Sequence, residues 1–480
     1  MTPQDNSDAT NSDATINTMQ QQFDIMRTAS RQDQYVDWSI RSAWLKKLEQ
    51  LVMDNQSEII TAIHADFGQR PAAETTMLEL FPTLEAIRYT QKHGKAWSAK
   101  QPVKTGIWFL PARSYIQPQP LGLVGIIAPW NYPLYLVIAP LAAALVAGNR
   151  AMLKVSEASP NFEQWLADAL PKYFAADEVT LITGGIEVAQ AFSQLPFDHL
   201  FFTGSTAVGK HIMKAAAQNL TPVTLELGGK SPVVVTPSAD VAKTVNRVWT
   251  GKTMNAGQTC IAPDYVLIHA SKEQDFLRYS SSGIEKLFYK NNVLDKSSYG
   301  KIISAGHYQR LKMLRDTAVE DGAIIVKGGV DSDEDQTIEP ALLSKVSLSS
   351  AIMQEEIFGP LLPVITYESL NKAIDYINKM PKPLALYIFS GSDEVIRNTI
   401  RQTSAGGTCV NDVVIHISNP NLPFGGVGNS GSGSCHGFYG FKAFSHERAV
   451  MFQSKMDFSK IAYPPYAKKR YLLKWLKKIM

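Results

Sequence analysis

The sequence predicts an α/β protein built from two parallel-sheet lobes and an extended arm. Three observations support this prediction. Short apolar strands alternate with helices at the spacing of βαβ units, and the alternation restarts after Gly228-Gly229. The proline-containing segment Trp108–Gln119 is extended and fits neither lobe. At 480 residues the chain is also too long for one simple core, so more than one packed unit is expected.

The individual elements follow in chain order within each lobe. In the first lobe, strands are predicted at Ala151–Val155, Val179–Thr183 and His199–Thr203, and helices at Phe162–Tyr173, Glu187–Gln194 and Ala207–Gln218. In the second lobe, strands are predicted at Pro232–Val235, Tyr265–His269, Ile324–Val326 and Leu384–Phe389, and helices at Val241–Met254, Lys272–Tyr289, His307–Asp321 and Asp393–Thr403.

The flanking segments complete the expected organisation. Residues 1–20 are rich in Asn, Asp, Thr, Ser and Gln without an apolar core, and predict a disordered tail. Helical patterns over residues 35–66 and 73–94 are expected to cover a sheet. The expected boundaries are 1–20 for the tail, 21–104 and 121–228 for the first lobe, 229–411 for the second lobe, 105–120 and 412–456 for the arm, and 457–480 for a basic C-terminal tail.

An uncharged run, Leu121–Asn149, is long enough by itself for a transmembrane helix. Three prolines interrupt it, however, and proline breaks a continuous helix. The preferred interpretation is a buried strand at Leu123–Ala128, a turn, and a buried helix at Leu134–Ala147 that ends at Gly148.

The composition excludes several classes of protein. Hydrophobic residues make up 45% and charged residues 19%, as in ordinary globular proteins, and a formal net charge of +3 gives no basis for a nucleic-acid surface. The three cysteines, Cys260, Cys409 and Cys435, form no CxxC pair and have no histidine cluster nearby, which argues against a disulfide framework or a metal site. No signal peptide is visible, so a cytoplasmic location is expected.

Two glycine-containing segments are candidates for a phosphate site. Gly426–Gly431 matches GxGxxG letter for letter, but no strand precedes it and no apolar helix follows, so it lacks the required context. Phe201–Lys210 has that context, because an apolar strand ends at Gly204-Ser205 and a helix begins at once. The free N–H groups and dipole at a helix start attract phosphate, although Ser205 is equally compatible with an ordinary helix cap.

Two residues have surroundings that suit catalysis. Glu226 stands between two leucines in an apolar strand, where it is either a salt-bridged structural glutamate or a base with a raised pKa. Cys260 follows a Gly-Gln-Thr turn between a helix and a strand. A free thiol has a pKa of about 8.5 and is mostly protonated at neutral pH, so a nucleophilic Cys260 needs N–H dipoles or a positive charge nearby.

Together these segments resemble the aldehyde dehydrogenase superfamily. The run Cys260–Tyr265 is similar to class 3 enzymes, and Leu121–Pro160 with Leu110–Arg113 is similar to bacterial coniferyl aldehyde dehydrogenases. The motifs that carry the resemblance lie in family order between about residues 105 and 445: Pro129–Pro133, Phe202–Ser205, Glu226–Pro232, Gly257–Cys260, Glu355–Pro360 and Pro423–Gly426.

The resemblance implies a role for each matching position. Cys260 would be the nucleophile, the Asn131 amide and the Cys260 backbone N–H would stabilise the oxyanion, and Glu226 would be the general base for water. The implied cofactor residues are Lys154 and Glu157 at the adenosine ribose, Gly204 and Ser205 beside the dinucleotide, Glu356 at the nicotinamide ribose, and Phe358 beside the ring.

It also implies the architecture and the cofactor. The two lobes would be Rossmann-like, the first binding a dinucleotide and the second carrying the nucleophile, and the arm would hold a homodimer together. NAD is the expected cofactor, because Glu157 should bond a ribose 2′-OH and repel a 2′-phosphate, and NADP stays open. The aromatic residues Trp130, Tyr132 and Tyr135 favour a hydrophobic substrate, either an aromatic propenal such as coniferaldehyde or a medium-to-long aliphatic aldehyde.

Alternatives remain at this point. One alternative is a CoA-acylating relative, which would pass the acyl group to the thiol of CoA; Glu226 argues against it, because a thiol acceptor needs no such base. Another is a non-catalytic protein that keeps the fold; the complete set of Cys260, Asn131, Glu226 and Glu356 argues against it, because no structural need selects that set. The basic, amphipathic segment Ala467–Met480 could contact an anionic membrane surface, but because the run is short the favoured interpretation is a helix packed on the protein body or a partner subunit.

Overall fold

Alternating apolar and amphipathic segments form the elements described by a computed structural model, which covers residues 3–455 and 463–479. The helices are α1 Pro3–Gln32, α2 Trp38–Asp54, α3 Gln56–Phe67, α4 Ala72–Thr75, α5 Phe81–Trp97, α6 Pro133–Ala147, α7 Pro160–Ala169, α8 Ile186–Gln194, α9 Thr206–Ala217, α10 Val241–Thr253, α11 Glu273–Phe288, α12 Ala305–Glu320, α13 Ala351–Gln354, α14 Leu370–Lys379, α15 Asp393–Gln402, α16 Gly437–Ala443 and α17 Arg470–Ile479. The strands are β1 Gln101–Val103, β2 Arg113–Pro120, β3 Leu123–Ile127, β4 Arg150–Lys154, β5 Val179–Leu181, β6 His199–Gly204, β7 Val223–Leu227, β8 Pro232–Val235, β9 Tyr265–His269, β10 Tyr289–Lys290, β11 Val293–Leu294, β12 Ile324–Lys327, β13 Asp331–Ser332, β14 Thr337–Ile338, β15 Ala341–Ser344, β16 Leu361–Tyr367, β17 Ala385–Phe389, β18 Gly407–Val410, β19 Gly431–Ser432 and β20 Ser445–Phe452.

Two sheets form the two lobes, as predicted. The first has the strand order β19-β7-β6-β3-β4-β5 and is parallel except for β19, which pairs antiparallel with β7. The second has the order β12-β15-β16-β9-β8-β17-β18 and is parallel except for β12. Strands β15, β16 and β18 escaped the sequence analysis, in part because Pro363 inside β16 weakens its strand pattern.

The uncharged run of the first lobe forms a strand and a buried helix, as predicted. The five residues of β3 are all buried, and α6 follows it with nearly every side chain buried. Gly148 ends α6 in the left-handed conformation, with φ of 92°. Among residues 3–455 and 463–479, no helix has both the length and the apolar character needed to cross a membrane.

The expected disordered tail is wrong, because α1 extends from residue 3 to residue 32. Met19, Phe23 and Met26 lie three and four positions apart on one face of this helix and are fully buried against the first lobe. The polar composition of residues 1–20 hid this apolar stripe, most of which lies just beyond them.

The arm is smaller than expected. Its antiparallel sheet has the order β1-β2-β20 and includes residues 113–120 and 445–452 from the two predicted arm segments. Residues between 412 and 444 belong partly to the first lobe, since β19 joins its sheet and α16 packs against α5 and α6. Phe441 and Phe444 are buried there, and their apolar surface is what holds this segment on the lobe.

Candidate active site

The carboxyl ends of four parallel strands bring several predicted site residues to one edge of the first sheet. In the register of that sheet Ile127 pairs with Lys154, and Thr203 pairs with Glu226. The chain continues from β3 to β4 on one side and returns through β6 on the other side of β3. A crevice forms where the strand order reverses in this way, and dinucleotides bind in such crevices.

One cavity of about 880 Å³ extends along this edge and into the cleft facing the second lobe. The structure brings all nine residues singled out from the sequence to its wall: Asn131, Lys154, Glu157, Gly204, Ser205, Glu226, Cys260, Glu356 and Phe358. These residues are spread over more than 200 positions of the sequence, so only the fold places them together.

The turn that carries Cys260 has an unusual backbone. After α10, three consecutive residues have positive φ, with 52° at Asn255, 51° at Ala256 and 80° at Gly257. Positive φ is strained for the two non-glycine residues, and such backbone strain is typical of functional turns. Gly257 is also required for space, because a Cβ there would lie 2.3 Å from the Gly359 carbonyl oxygen. The turn presents Cys260 to the cavity with its side chain only partly exposed.

Hydrogen bonds join the Asn131 segment to this turn. The Asn131 side-chain amide donates to the Gln258 carbonyl oxygen at 3.1 Å, and the Asn255 amide donates to the Asn131 carbonyl oxygen at 2.9 Å. The hydroxyls of Tyr132 and Thr259 are 2.6 Å apart. An amide group has two N–H donors, so Asn131 can keep its bond to Gln258 and still donate to a developing oxyanion.

The thiol of Cys260 is held in its protonated form by these surroundings. Burial raises its pKa to about 12, and the nearby carboxylates of Glu356 and Glu226 contribute to the increase. A thiolate at this position therefore needs a base to remove the proton, or a positive charge close to the sulfur.

Glu226 is buried in β7, with 5% of its surface exposed. Neither carboxylate oxygen has a nitrogen or oxygen atom as hydrogen-bond partner among the described residues. Burial raises the pKa of this group well above its ordinary value, and only the thiol of Cys435, a weak donor, acts in the opposite direction. This answers the question left open by the sequence: Glu226 is not a salt-bridged structural glutamate. A raised pKa makes this carboxylate a stronger base once it is deprotonated, as general-base catalysis requires.

Glu356 lies on the second-lobe side of the cleft. Burial raises its pKa to about 8, with a further increase from the charge of Asp264. Its carboxylate lies against the backbone at Gly228, where a Cβ would come within 2.1 Å of a carboxylate oxygen. A side chain at position 228 would therefore displace Glu356, so this position requires a glycine.

The other end of the cavity is a groove between α8 and α9. The Ser205 hydroxyl caps α9, accepting from the Val208 N–H at 3.3 Å. The Lys154 ammonium is buried and 3.2 Å from Glu163, whereas Glu157 is exposed at the rim. Apolar side chains of both helices line the groove, including Ile186 and Val208. The groove therefore offers an apolar slot for a flat ring and a helix N-terminus for phosphate.

Cys435 is a neighbour of Glu226 that the sequence did not reveal. An antiparallel bridge to Phe424 holds its backbone, and a hydrogen bond from its buried thiol lowers the pKa of the Glu226 carboxyl, opposing the larger effect of burial. The following residue, His436, is 3.1 Å from the Tyr135 hydroxyl. No signal in the sequence could locate these contacts, because they depend on the pairing of β19 with β7.

Comparison with known proteins places this cavity in context. Residues 3–450 match the sequence profile of the Aldehyde dehydrogenase family. A probable coniferyl aldehyde dehydrogenase of Pseudomonas aeruginosa is 43% identical over 453 residues, which cover 94% of each chain. Aldehyde dehydrogenase family 3 member A2 of Rattus norvegicus is 39% identical, over 93% of this chain and 91% of the relative. A solved structure, the substrate-bound state of Staphylococcus aureus AldH, superposes with a TM-score of 0.91 at 41% identity, over 95% of this chain and 99% of that one.

Proposed function

Because the chain belongs to the aldehyde dehydrogenase family, we propose that it oxidises a hydrophobic aldehyde to the carboxylic acid through a thioester on Cys260, with NAD as the preferred cofactor. The observation that carries this proposal is the single cavity that joins Cys260, Asn131 and Glu226 to the groove between α8 and α9. Such a cavity lets an aldehyde and a dinucleotide meet at the sulfur.

The first half of the reaction is addition of the Cys260 sulfur, as the thiolate, to the aldehyde carbon. The thiol proton is lost to solvent through the cavity, and the positive charge of a nicotinamide ring bound beside the sulfur would favour that loss. Negative charge then develops on the former carbonyl oxygen. The second N–H of the Asn131 amide and the Cys260 backbone N–H stabilise that charge, and a fixed donor of this kind contributes about 10²–10³ in rate. Glu356 and Phe358 would hold the nicotinamide end of a dinucleotide, which would supply the acceptor for the hydride that leaves the adduct carbon as the thioester forms.

The second half is hydrolysis of the thioester. Glu226, once deprotonated, takes a proton from water, and the resulting hydroxide attacks the thioester carbon. The acid is released and the Cys260 sulfur is regenerated. The two glycines after β7, Gly228 and Gly229, give this carboxylate the freedom to approach the water.

The groove fits a dinucleotide through named residues. Gly204 and Ser205 at the start of α9 suit the pyrophosphate, and Lys154 with Glu157 suits the adenosine ribose. Glu356 and Phe358 suit the nicotinamide end. The exposed carboxylate of Glu157 supports a preference for NAD, because it would repel a 2′-phosphate.

A panel of aldehydes, each assayed with NAD and with NADP, tests this function. We expect reduction of the cofactor with coniferaldehyde or with medium-to-long aliphatic aldehydes, a higher kcat/KM for NAD than for NADP, and a free acid as product whether or not CoA is present. Formation of an acyl-CoA would favour the CoA-acylating alternative. Absence of cofactor reduction with every aldehyde would contradict the proposal and favour a non-catalytic protein.

The arm and the lobes have proposed roles as well. We assign dinucleotide binding to the first lobe, the nucleophile to the second, and homodimer formation to the arm. Exposed apolar side chains at Met451 and Phe452 on β20 support a contact with a second copy. Light scattering is expected to give twice the chain mass of 52.9 kDa, and a monomer mass would contradict the assignment.

The C-terminal tail is proposed to touch an anionic membrane surface, which is compatible with the expected cytoplasmic location. The run forms a helix, α17, with basic residues including Lys474 and Lys477, and Tyr471 is 88% exposed. Full-length protein is expected to co-sediment with phosphatidylserine-containing liposomes more than a chain ending at Ser459 does. Equal sedimentation of the two would favour packing on the protein body or a partner subunit.

A further inference from the structure

A buried ion pair lies beneath the Asn131 segment, far from it in sequence. Arg70, in the loop between α3 and α4, and Glu79, in the π-helix Thr76–Leu80, are each 0% exposed. An Nη1 of Arg70 and an Oε1 of Glu79 are 2.8 Å apart. We call these two residues the Arg70–Glu79 pair.

Glu79 fixes the start of α6, the helix that follows Asn131. Its second carboxylate oxygen accepts from the Leu134 N–H at 2.8 Å and from the Tyr135 N–H at 3.3 Å. These N–H groups have no partner within the helix, and a negative charge at a helix start is favourable. The carboxylate therefore determines where α6 begins relative to Arg70.

Arg70 fixes the backbone of Asn131 itself. The guanidinium donates to the Asn131 carbonyl oxygen at 3.2 Å and lies between the rings of Phe67 and Tyr132, 5.0 Å from each centroid. The same carbonyl oxygen accepts from the side-chain amide of Asn255, which belongs to the turn that carries Cys260, here called the nucleophile turn. Arg70 thus holds the point at which the Asn131 segment and the nucleophile turn are joined.

Stability alone is a poor explanation for the pair. A buried ion pair gains little over well-packed apolar residues, because both charges lose their water. The Nε and the Nη2 of Arg70 also lack a hydrogen-bond partner among the described residues, which adds to that cost. Glu79 further lies in a π-helix, an uncommon distortion that is frequent at functional sites.

We propose that Arg70, held by Glu79, is a positioning residue for the oxyanion donor Asn131. This inference rests on the proposed function, because it assumes that the Asn131 amide acts on the oxyanion. The pair contacts neither the cavity nor Cys260 directly, and acts through the backbone of Asn131. Displacing a positioned group by about 1 Å can cost about 100-fold in rate.

The test is a double-mutant cycle on the rate constant of the first-turnover burst of NADH at saturating NAD and aldehyde. Arg70→Lys keeps the charge but loses the planar guanidinium, whose Nη1 donates to both Glu79 and the Asn131 carbonyl oxygen while its plane packs against the rings of Phe67 and Tyr132. We expect it to lower the burst rate constant about 10-fold or more in the native background. In an Asn131→Ala background we expect a change smaller than about 2-fold, because the group being positioned is absent.

Arg41→Lys is the matched control. Arg41 is another buried arginine of the helical layer, and it donates to the carbonyl oxygens of Val36 at 2.7 Å and Val146 at 3.2 Å. It lies outside the cavity wall. We expect this variant to lower the thermal unfolding midpoint without changing the burst rate constant, which separates loss of stability from loss of positioning.

The outcomes distinguish the inference from the function on which it rests. Equal fold-changes from Arg70→Lys in the two backgrounds, or an unchanged burst in the native background, would overturn the positioning role and leave the proposed function standing. An Asn131→Ala variant with a native burst would overturn the oxyanion assignment itself, and the positioning role with it. If Arg70→Lys does not fold, Glu79→Gln replaces it in the same cycle with the same expectations.

Discussion

Replacing Cys260 by serine is expected to abolish aldehyde oxidation, with kcat lowered by more than about 10⁴-fold. The serine hydroxyl is a much weaker acid than the thiol, whose own pKa is already raised to about 12 by burial and by the neighbouring carboxylates. No adduct with the aldehyde carbon would then form at a useful rate. Steady-state NADH formation at saturating aldehyde is the measurement.

Cys409→Ser is the control for this variant. Cys409 lies on β18, is buried and is absent from the cavity wall, so its substitution tests the general effect of losing a buried thiol. We expect it to retain turnover, and we expect both variants to keep NAD binding. A Cys260→Ser protein with turnover within about tenfold of the native value would rule out Cys260 as the nucleophile.

Replacing Glu226 by glutamine is expected to separate the two halves of the reaction. The burst of NADH should remain, because addition and oxidation do not need this base, while steady-state turnover should fall by about 10²–10⁴-fold. Glutamine has nearly the same shape and removes only the ability to accept a proton. Stopped-flow absorbance of NADH resolves the burst from the steady state, and loss of the burst would contradict the assigned timing.

The pH profile provides a second readout for Glu226. Burial raises the pKa of this carboxyl well above its ordinary value, and the group acts as a base only in its deprotonated form. Steady-state turnover limited by hydrolysis should therefore rise as pH rises through the raised pKa. Glutamine has no proton to lose, so the Glu226→Gln variant should lack this rise, and an unchanged profile would identify another group as the base.

The fold class could be predicted from the sequence because the patterns that determine it lie within short segments of the chain. Charge-free apolar strands such as β3 and the prolines around α6 indicate a buried strand and helix, and the parallel order follows from their alternation. The N-terminal helix was not predicted, because its apolar residues Met19, Phe23 and Met26 are buried against parts of the chain distant in sequence, namely α8, β3, β4 and the ring of Phe197. Composition averaged over residues 1–20 hides such a stripe.

The candidate site shows the same division. Cys260, Asn131 and Glu226 are recognisable from motifs, and the structure brings them to one cavity. Arg70 and Glu79 have no motif, since an arginine and a glutamate nine positions apart are ordinary in a helical region. Their contact with the turn before α6 is visible only in the structure, because Arg70 and Asn131 are 61 residues apart in the sequence.

Mass spectrometry of the Glu226→Gln variant, quenched during the burst with NAD and an oxidisable aldehyde, tests the central claim most directly. The account predicts an added mass equal to the aldehyde less two hydrogen atoms, one lost as hydride and one as the thiol proton, carried by the peptide that contains Cys260 and formed in the same amount as the NADH of the burst. An acyl group on Cys435 or Cys409 instead, or a full NADH burst with no acyl group on the protein, would contradict it.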